Sequence, residues 1–518
     1  MKGKYILAHD TGTTSNKAVL VGLNGEIFGH ASAEYPVYYP KRGYAEQKPL
    51  DWWNAVIKTT KELIDKASVK PSEIVALIFT TQMSGTIPVD INGEPLMPCM
   101  IWLDTRAKEQ AEKMSRGIIK IAGYGLLTLF RFLSITGGIY GHVGKDPICK
   151  ILWVKEEQPK VYAETYKFLD CKDYLVYKCT GKFVISRDYA NIWWMMDTRK
   201  GKFNWSDTIL KKYGIDKAKL PEIMKATDIA GKLTHEAAAE TGLKEGTPVI
   251  VGAGDVASAA VGSGAVKEGK IHVYIGTSDW LGCHLLERKN DLFHYIGSIC
   301  SANPDMYLCV AEQETAGACL DWLKSTMFKE GPEEDVYKLF SEMAAKVKPG
   351  AGGLIFTPWL FGERAPLDDP TVRGGFYNLS LEHTREHMIR AVFEGVALNM
   401  KWALFYMEKL AGKAENINII GGGAISDVWC QIFADALNRI INRVEEPKEA
   451  GARGAAIIAM IALGHVKSFE DAEKLVKIDA VYKPNPQNTA VYEKIFKEFQ
   501  NIYKNNKKMY RRLNLKAE

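Results

Sequence analysis

The sequence predicts an α/β protein of two domains with mixed sheets. Three observations lead there. The chain of 518 residues exceeds what one hydrophobic core usually serves. Apolar strands alternate along it with helical stretches, the pattern of α/β layers. A strand–turn–strand unit whose first strand ends in Gly-Thr-[Thr/Ser] occurs twice, at equivalent places half a chain apart, which points to a duplicated domain.

The opening unit, "KYILAHDTGTTSNKAVLVGLNGEIFGH", reads as an apolar strand over 5–8, a turn over 10–15 and a returning strand over 17–21. Asn24-Gly25 then turns the chain into a third strand. "LDWWNAVIKTTKELIDKA" has helical spacing, and "EIVALIFTTQ" after it is a strand. In the second half, "KIHVYIGTSDWLGCHLL" repeats the opening: a strand to Ile275, the turn Gly276-Thr277-Ser278, and another strand. "INIIGGGAISDVWCQIFADALN" gives strand, glycine turn and helix, with Ser426 or Asp427 as N-cap. Pro248 stands just before the second start, which places the domains at 1–250 and 251–518.

Hydrophobic residues make up 47% and charged residues 25%, near the average for globular proteins. A net charge of +5 over this length says little about partners. The basic cluster 504–512 reads as a solvated tail, and nucleic-acid binding is not expected. "MKGKYILAHDTG" runs from two lysines into a short apolar run and a turn without a signal-peptide core or cleavage site. The most apolar longer stretch, from Ile118, carries Lys120 and Arg131, and the part between them is too short for a bilayer. It reads as an insertion helix on the body or part of a subunit contact. The 9 cysteines are scattered without a C-x-x-C pair, so neither a disulfide framework nor a zinc site is indicated, and a cytoplasmic location is expected.

Small hydroxylated residues in a turn between strands bring backbone N–H groups and hydroxyls onto one phosphate. Thr13, Thr14 and Ser15 suit that task, as do Thr277 and Ser278. Either turn alone is better explained as a polar hairpin; the repeated pair favours phosphate. Asp10 beside the first turn suits a Mg²⁺ held through water, or a turn aspartate bonding its own backbone. In "GGGAISD", from Gly421 to Asp427, glycines after a strand let a flat ligand approach the backbone, and a bare turn is the plainer alternative.

"TPVIVGAGDVASAAVGSG" satisfies the dinucleotide spacing G-x-G-x-x-A at Gly252, Gly254 and Ala257. That motif also requires an acid about 20 residues on, at the end of the next strand. There the chain has Gly276-Thr277-Ser278, with Asp279 only after the turn. A dinucleotide site, and with it a dinucleotide-dependent oxidoreductase, is therefore disfavoured. Asp255 is left as a helix cap, a catalytic carboxylate, or both, since capping holds a carboxylate in place and ionised.

In this order the motifs resemble the FGGY carbohydrate kinases, within the actin, hexokinase and heat-shock-chaperone ATPase superfamily, and among them the xylulokinases. "HDTGTTSNKAVL" resembles the first phosphate motif, "GYAEQKPLDWW" the family's G-[WY]-x-E-Q segment, and "TTQMSG" with "MIWLDTRA" the sugar-facing part. "DYLVYKCTG", "GAGDVASAAVGSG", "YIGTSDW", "FTPWLFGERAPLDDPTVRGGFYNLSLEH" and "IIGGGAISDVWCQIFADAL" continue the likeness through almost the whole chain. The resemblance implies two actin-like (ribonuclease H-like) ATPase domains flanking a cleft, with sugar mainly on the first and ATP with Mg²⁺ mainly on the second. It implies phosphorylation of a sugar hydroxyl, with Asp255 as the general base. It puts Asp10, Gly12, Thr13, Thr14, Ser15, Gly276 and Thr277 around the phosphates and metal, and Gly317, Asp321, Gly422, Gly423 and Asp427 along the nucleotide. Met83, Ser84, Trp102, Asp104 and Val256 fall in the segments that meet the sugar. Kinases of the family are often dimers, and the segment from Ile118 would be such a contact.

Two departures bear on the sugar. Xylulokinases usually read Q-M-H-G where this chain has Gln82-Met83-Ser84-Gly85, and Asn where it has Val256. Each removes a hydrogen-bonding group, a change that shifts specificity strongly. The expected substrate is a pentulose such as D-xylulose, with another ketose or polyol (ribulose, erythritol or a glycerol-like compound) as the alternative. An actin-like nucleotide switch without a sugar is a further alternative, disfavoured by the sugar-facing segments.

Overall fold

The computed structural model describes residues 4–327 and 336–514. The chain forms two compact units, one of Met1–Gly262, Ile299–Tyr307 and Gly451–Leu475, the other of Ser263–Ser298, Leu308–Ala450 and Val476–Glu518. The first three residues of the opening segment lie outside the described residues.

The first unit is built on strands β1 (Tyr5–Thr11), β2 (Ser15–Gly22), β3 (Ile27–Glu34), β4 (Ile74–Thr81), β5 (Ile229–Lys232) and β6 (Pro248–Ile250), in the order β5-β6-β4-β1-β2-β3. β1 pairs in parallel with β4, and β4 with β6, while β2, β3 and β5 join antiparallel. Ile6, Leu7, Ala8 and His9 are all inaccessible to solvent, the burial on both faces that a central parallel strand requires. β3 alternates buried and exposed side chains and forms an edge. Helix Pro49–Ala67 opens on a proline at its first position and buries Trp52, Trp53, Val56, Thr59, Thr60 and Leu63, a helical stripe facing the sheet.

The second unit repeats the plan with β7 (Ile271–Ile275), β8 (Asp279–Leu285), β9 (Ile296–Cys300), β10 (Tyr307–Gln313), β11 (Asn416–Ile420), β12 (Ile440–Val444) and β13 (Ile478–Tyr482). Their order is β9-β10-β8-β7-β11-β12-β13. An antiparallel hairpin, two parallel steps and an antiparallel last strand follow in the same sequence in both sheets.

Several boundaries differ from the sequence expectation. The first turn is tighter than 10–15: β1 continues through Asp10 and Thr11 because Gly12 N donates to Ser15 O at 2.9 Å and Thr11 Oγ1 to Asn16 Oδ1 at 2.8 Å. The first unit extends through Gly262, beyond the expected division near residue 250. Helix Asp255–Gly262 follows β6 and meets helix Ala450–Ala462, where a Cβ on Gly454 would lie 1.8 Å from Ser258 O. The basic cluster 504–512 is exposed at its lysines and arginines, yet it lies on the 29-residue helix Pro486–Asn514, anchored by Tyr492, Phe499 and Tyr510. The segment from Ile118 contains helix Leu126–Thr136, burying Leu129, Phe132 and Ile135 and exposing Leu127 and Phe130. Among the described residues no helix is long and apolar enough to cross a membrane. All nine cysteines are free and buried.

The close crossing at Gly454 predicts that Gly454→Ala costs about 1–3 kcal/mol through overpacking, read as a lowered thermal midpoint. A second prediction concerns His9, whose ring faces Asn16 Nδ2 at 3.1 Å and Thr60 Oγ1 at 3.2 Å. Burial lowers its pKa from 6.5 to about 3. The unfolded chain therefore binds the extra proton between those values, so stability is lost as pH falls from 6.5 toward 3. In His9→Gln the thermal midpoint should fall less steeply over that window than in the wild type.

Candidate functional site

In the first unit three parallel strands end along one edge of the sheet, and the loops leaving β1, β4 and β6 carry the candidates. The loop after β1 is fastened through its carbonyls. The Tyr35 hydroxyl lies 2.5 Å from Gly12 O and 2.9 Å from Ser15 O, Tyr35 N donates to Thr14 O at 3.0 Å, and Gln47 Nε2 donates to Thr13 O at 2.7 Å. A side chain at Gly12 would meet only Ser15 O, at 3.6 Å, so packing does not demand a glycine there. Thr14 is exposed, and Thr13 Oγ1 accepts from Trp102 Nε1 at 2.9 Å. The carboxylate of Asp10 lies beside Gly451, where a Cβ would stand 3.1 Å from Oδ2.

Gln47, from "GYAEQ", also joins this loop to the next one. Its Oε1 accepts from Gln82 Nε2 at 2.6 Å and from Trp52 Nε1 at 3.2 Å. After Gln82 the chain presents Met83 and Ser84, both half-buried, with Ser84 in the left-handed region at φ 64°. Trp102 lies against Thr13 on one side, and the Lys145 ammonium is 5.5 Å from its ring centre. Asp104 departs from the expectation of a sugar contact. Its carboxylate is inaccessible and occupied by Ala45 N at 2.8 Å, Arg106 N at 3.0 Å and the Arg106 guanidinium at 2.6–3.0 Å. Arg106 reaches on to Glu46 at 2.7 Å, so the acid fixes the segment from within.

The loop after β6 resolves the two readings of its glycines. Gly252 has φ +73°, and a Cβ there would lie 2.3 Å from Phe79 O; a Cβ on Gly254 would lie 2.4 Å from Met83 Sδ. The glycines serve the packing of this loop on β4 and Met83. Gly254 accepts the first helical bond, from Ser258 N at 2.8 Å, and occupies the cap position, with Asp255 as the first helical residue. Asp255 is half-buried, and its Oδ1 accepts from Val256 N at 2.8 Å, which holds a carboxylate where the helix dipole favours its charge. Behind it, Asp188 Oδ2 accepts from Gly254 N at 2.6 Å. The Tyr189 hydroxyl lies 2.9 Å from both Thr81 O and Gln82 O; burial and then the charges of Asp170 and Asp255 raise its phenol.

In the second unit, Gly276, Thr277 and Ser278 join β7 to β8, with Thr277 exposed. Helix Gly317–Met327 starts on this turn: Ala316 N and Ala318 N donate to Thr277 O at 2.9 and 3.1 Å, and Gly317 N to Gly276 O at 2.8 Å. A Cβ on Gly317 would lie 2.5 Å from Gly276 O. Asp279 begins β8 fully buried, and burial raises its carboxyl, a setting unlike that of a ribose ligand. After β11, Gly423 abuts Ile275 Cγ2, at 2.4 Å from its would-be Cβ, whereas Gly422 is exposed and meets nothing nearer than Lys448 Cε at 3.9 Å. Ser426, not Asp427, caps helix Asp427–Leu437, accepting from Trp429 N at 3.2 Å. The Asp427 carboxylate is bound by Tyr482 Oη at 2.5 Å and Arg443 at 2.6 Å, which lower its pKa. Asp321 accepts from the Tyr337 hydroxyl.

Sequence reasoning missed Lys150, Asp170 and Asp188. Lys150 is completely buried in helix Pro147–Glu157, and its pKa is lowered to about 8 by that burial. The available signal was a lone lysine inside the apolar run "PICKILWV", since lysine is almost never fully buried without partners.

Comparison with known proteins identifies the family. Residues 5–262 match the N-terminal domain of the FGGY family of carbohydrate kinases, and residues 272–463 its C-terminal domain. The chain is 31% identical to a xylulose kinase of Bacillus subtilis over 97% of each chain. It is 30% identical to a gluconokinase of the same organism, over 96% of this chain and 95% of the relative. Among solved structures, a gluconate kinase from Lactobacillus acidophilus superposes with a TM-score of 0.87 at 28% identity, covering 99% of this chain and 100% of that one. A xylulose kinase from the same organism gives 0.87 at 28% identity, covering 98% and 100%. The chain belongs to the FGGY family of carbohydrate kinases and is a sugar kinase.

Proposed function

We propose that this sugar kinase phosphorylates a pentulose such as D-xylulose, with Asp255 as the general base. Sugar kinases of this family use ATP. The observation that carries the reading is the setting of Asp255: a half-buried carboxylate on the first residue of a helix, one oxygen held by Val256 N and the preceding peptide held by Asp188. A base held so is aimed before substrate arrives, and it takes the proton from the attacking hydroxyl as the new O–P bond forms. Met83, Ser84 and Trp102 of the same unit orient the sugar; Asp104 keeps their segment in place through Arg106. The exposed Thr277 and Gly422 of the second unit, with Gly276, Gly317 and Gly423 behind them, take the nucleotide.

Mg²⁺ fits as a companion of the nucleotide rather than as a resident of a protein cage. Among the described residues no three His, Cys, Asp or Glu side chains converge to hold a metal. Asp10 would hold the ion through water, and the ion would neutralise charge on the transferred phosphoryl group.

A second reading, phosphorylation of a sugar acid such as D-gluconate, is favoured by Lys145, whose ammonium stands over Trp102. A cation there suits a substrate carboxylate. The gluconokinase relative accords with it.

Two measurements test these proposals. Asp255→Ala should lower turnover by about 10²–10⁴-fold while binding of ATP, measured by calorimetry, is retained; wild-type turnover on the best substrate would remove Asp255 from the role. A coupled assay of ADP release over D-xylulose, D-ribulose, erythritol, glycerol and D-gluconate should give the highest kcat/KM with D-xylulose. A preference for D-gluconate that Lys145→Met abolishes would establish the sugar-acid reading instead.

A further inference from the structure

The two segments that carry the sugar-side candidates, 83–86 and 100–104, are not consecutive in the chain and are bridged at Thr86 with Met100. A third element fastens them. Lys150 Nζ, on helix Pro147–Glu157, donates to Ser84 O at 2.7 Å, Ile101 O at 2.8 Å and Met100 O at 3.2 Å. An ammonium has three protons, and here each has a carbonyl. The next peptide is gripped from the other side: Gly85 N donates to Asp170 Oδ1 at 2.9 Å, and the same oxygen caps helix Cys171–Thr180 through Cys171 N at 2.7 Å. The Ser84–Gly85 peptide is thus held at its carbonyl by a cation and at its amide by a carboxylate, both side chains fully buried.

This clamp explains two oddities. Ser84 holds a left-handed backbone at φ 64°, which for a residue with a Cβ persists only where the surroundings over-determine it. A lysine at 0% exposure gives up its hydration and is retained only where its donors are all used. Met100 and Ile101 immediately precede Trp102, whose indole bonds Thr13, so one ammonium sets the position of the serine on one segment and of the tryptophan on the other.

We infer that Lys150, with Asp170 opposite it, is a positioning residue for sugar recognition, fixing Ser84 and Trp102 in one geometry without touching the substrate. The inference rests on the sugar-side placement of those segments proposed above, but not on which sugar is bound. In Lys150→Met the three carbonyls lose their donor while the stem volume is kept.

The test has two arms. Hydrogen–deuterium exchange of the folded variant should quicken in peptides covering 83–86 and 100–104, with little change in the second unit. Kinetics, run with whichever of D-xylulose or D-gluconate the wild type phosphorylates faster, should show the sugar KM raised about tenfold and the ATP KM within about twofold. A folded variant with unchanged exchange in both segments, or with an unchanged sugar KM, overturns the assignment. A parallel rise in both KM values makes Lys150 a general stability residue and overturns it as well. If the wild type phosphorylates neither sugar, the substrate reading falls alone and the exchange arm still decides the clamp. If Lys150→Met does not fold, the same arms are run on Asp170→Ala, which removes the acceptor for Gly85 N. Exchange and sugar KM both at wild-type values there would likewise overturn the paired clamp.

Discussion

Everything chemical in this chain hangs on the parallel pairing at the centre of each sheet. β1, β4 and β6 run the same way, so their carboxyl ends share an edge, and β7, β11 and β12 do the same in the second unit. β1 leaves by the hairpin turn into antiparallel β2, while β4 and β6 leave into connections that do not return directly to a neighbouring strand. The exits therefore become loops gathered on one side, which is where α/β sheets bind ligands. The loops with Thr13, Met83 and Asp255 are neighbours for that reason and for no reason visible in their separation along the chain. The buried run Ile6–His9 is the other face of the same fact, because a strand paired in parallel at the sheet centre must be apolar on both sides.

What the sheet brings near, buried polar groups make exact. In the first unit Gln47, Asp104, Lys150, Asp170 and Asp188 are each almost wholly buried, and each binds a group in another segment of the chain. Such groups are costly. Burial lifts the carboxyls of Asp170 and Asp188 above the usual range and lowers the Lys150 ammonium to about 8. A packed apolar core would be cheaper in free energy, but it would not select one loop geometry over another. Hydrogen bonds in a low dielectric are strong and directional, so the cost returns as positional definition.

The sequence was legible where local physics decides. The duplicated strand–turn–strand, the helix of "LDWWNAVIKTTKELIDKA" and the strand–glycine–helix at 416–437 follow from periodicity and capping, and Ser426 settles a choice the letters left open. Less legible was anything set by contacts distant in sequence. The end of the first unit at Gly262 depends on a helix some 200 residues later pressing Gly454 onto Ser258. Asp104 looked like a ligand because exposed and buried acids read alike until Ala45 N and Arg106 are seen to occupy it. Lys150 was passed over for the converse reason, since its neighbours in sequence are apolar while its three partners lie 49–66 residues away.

In the site proposed here, the groups that would read the sugar differ from the groups that hold them. Phosphoryl transfer asks a protein chiefly to position groups and balance charge. In the proposed site, Asp188 on Gly254 and the Lys150–Asp170 grip on Ser84–Gly85 act on backbone atoms. A backbone carbonyl or amide is present whatever side chain stands at the position. On the proposed reading, the side chains at 84 and 256 can change, and with them the group recognised, while the grips on Ser84–Gly85 and Gly254 stay as they are. The proposed substrate choice would thus rest on side chains and the proposed alignment on backbone atoms.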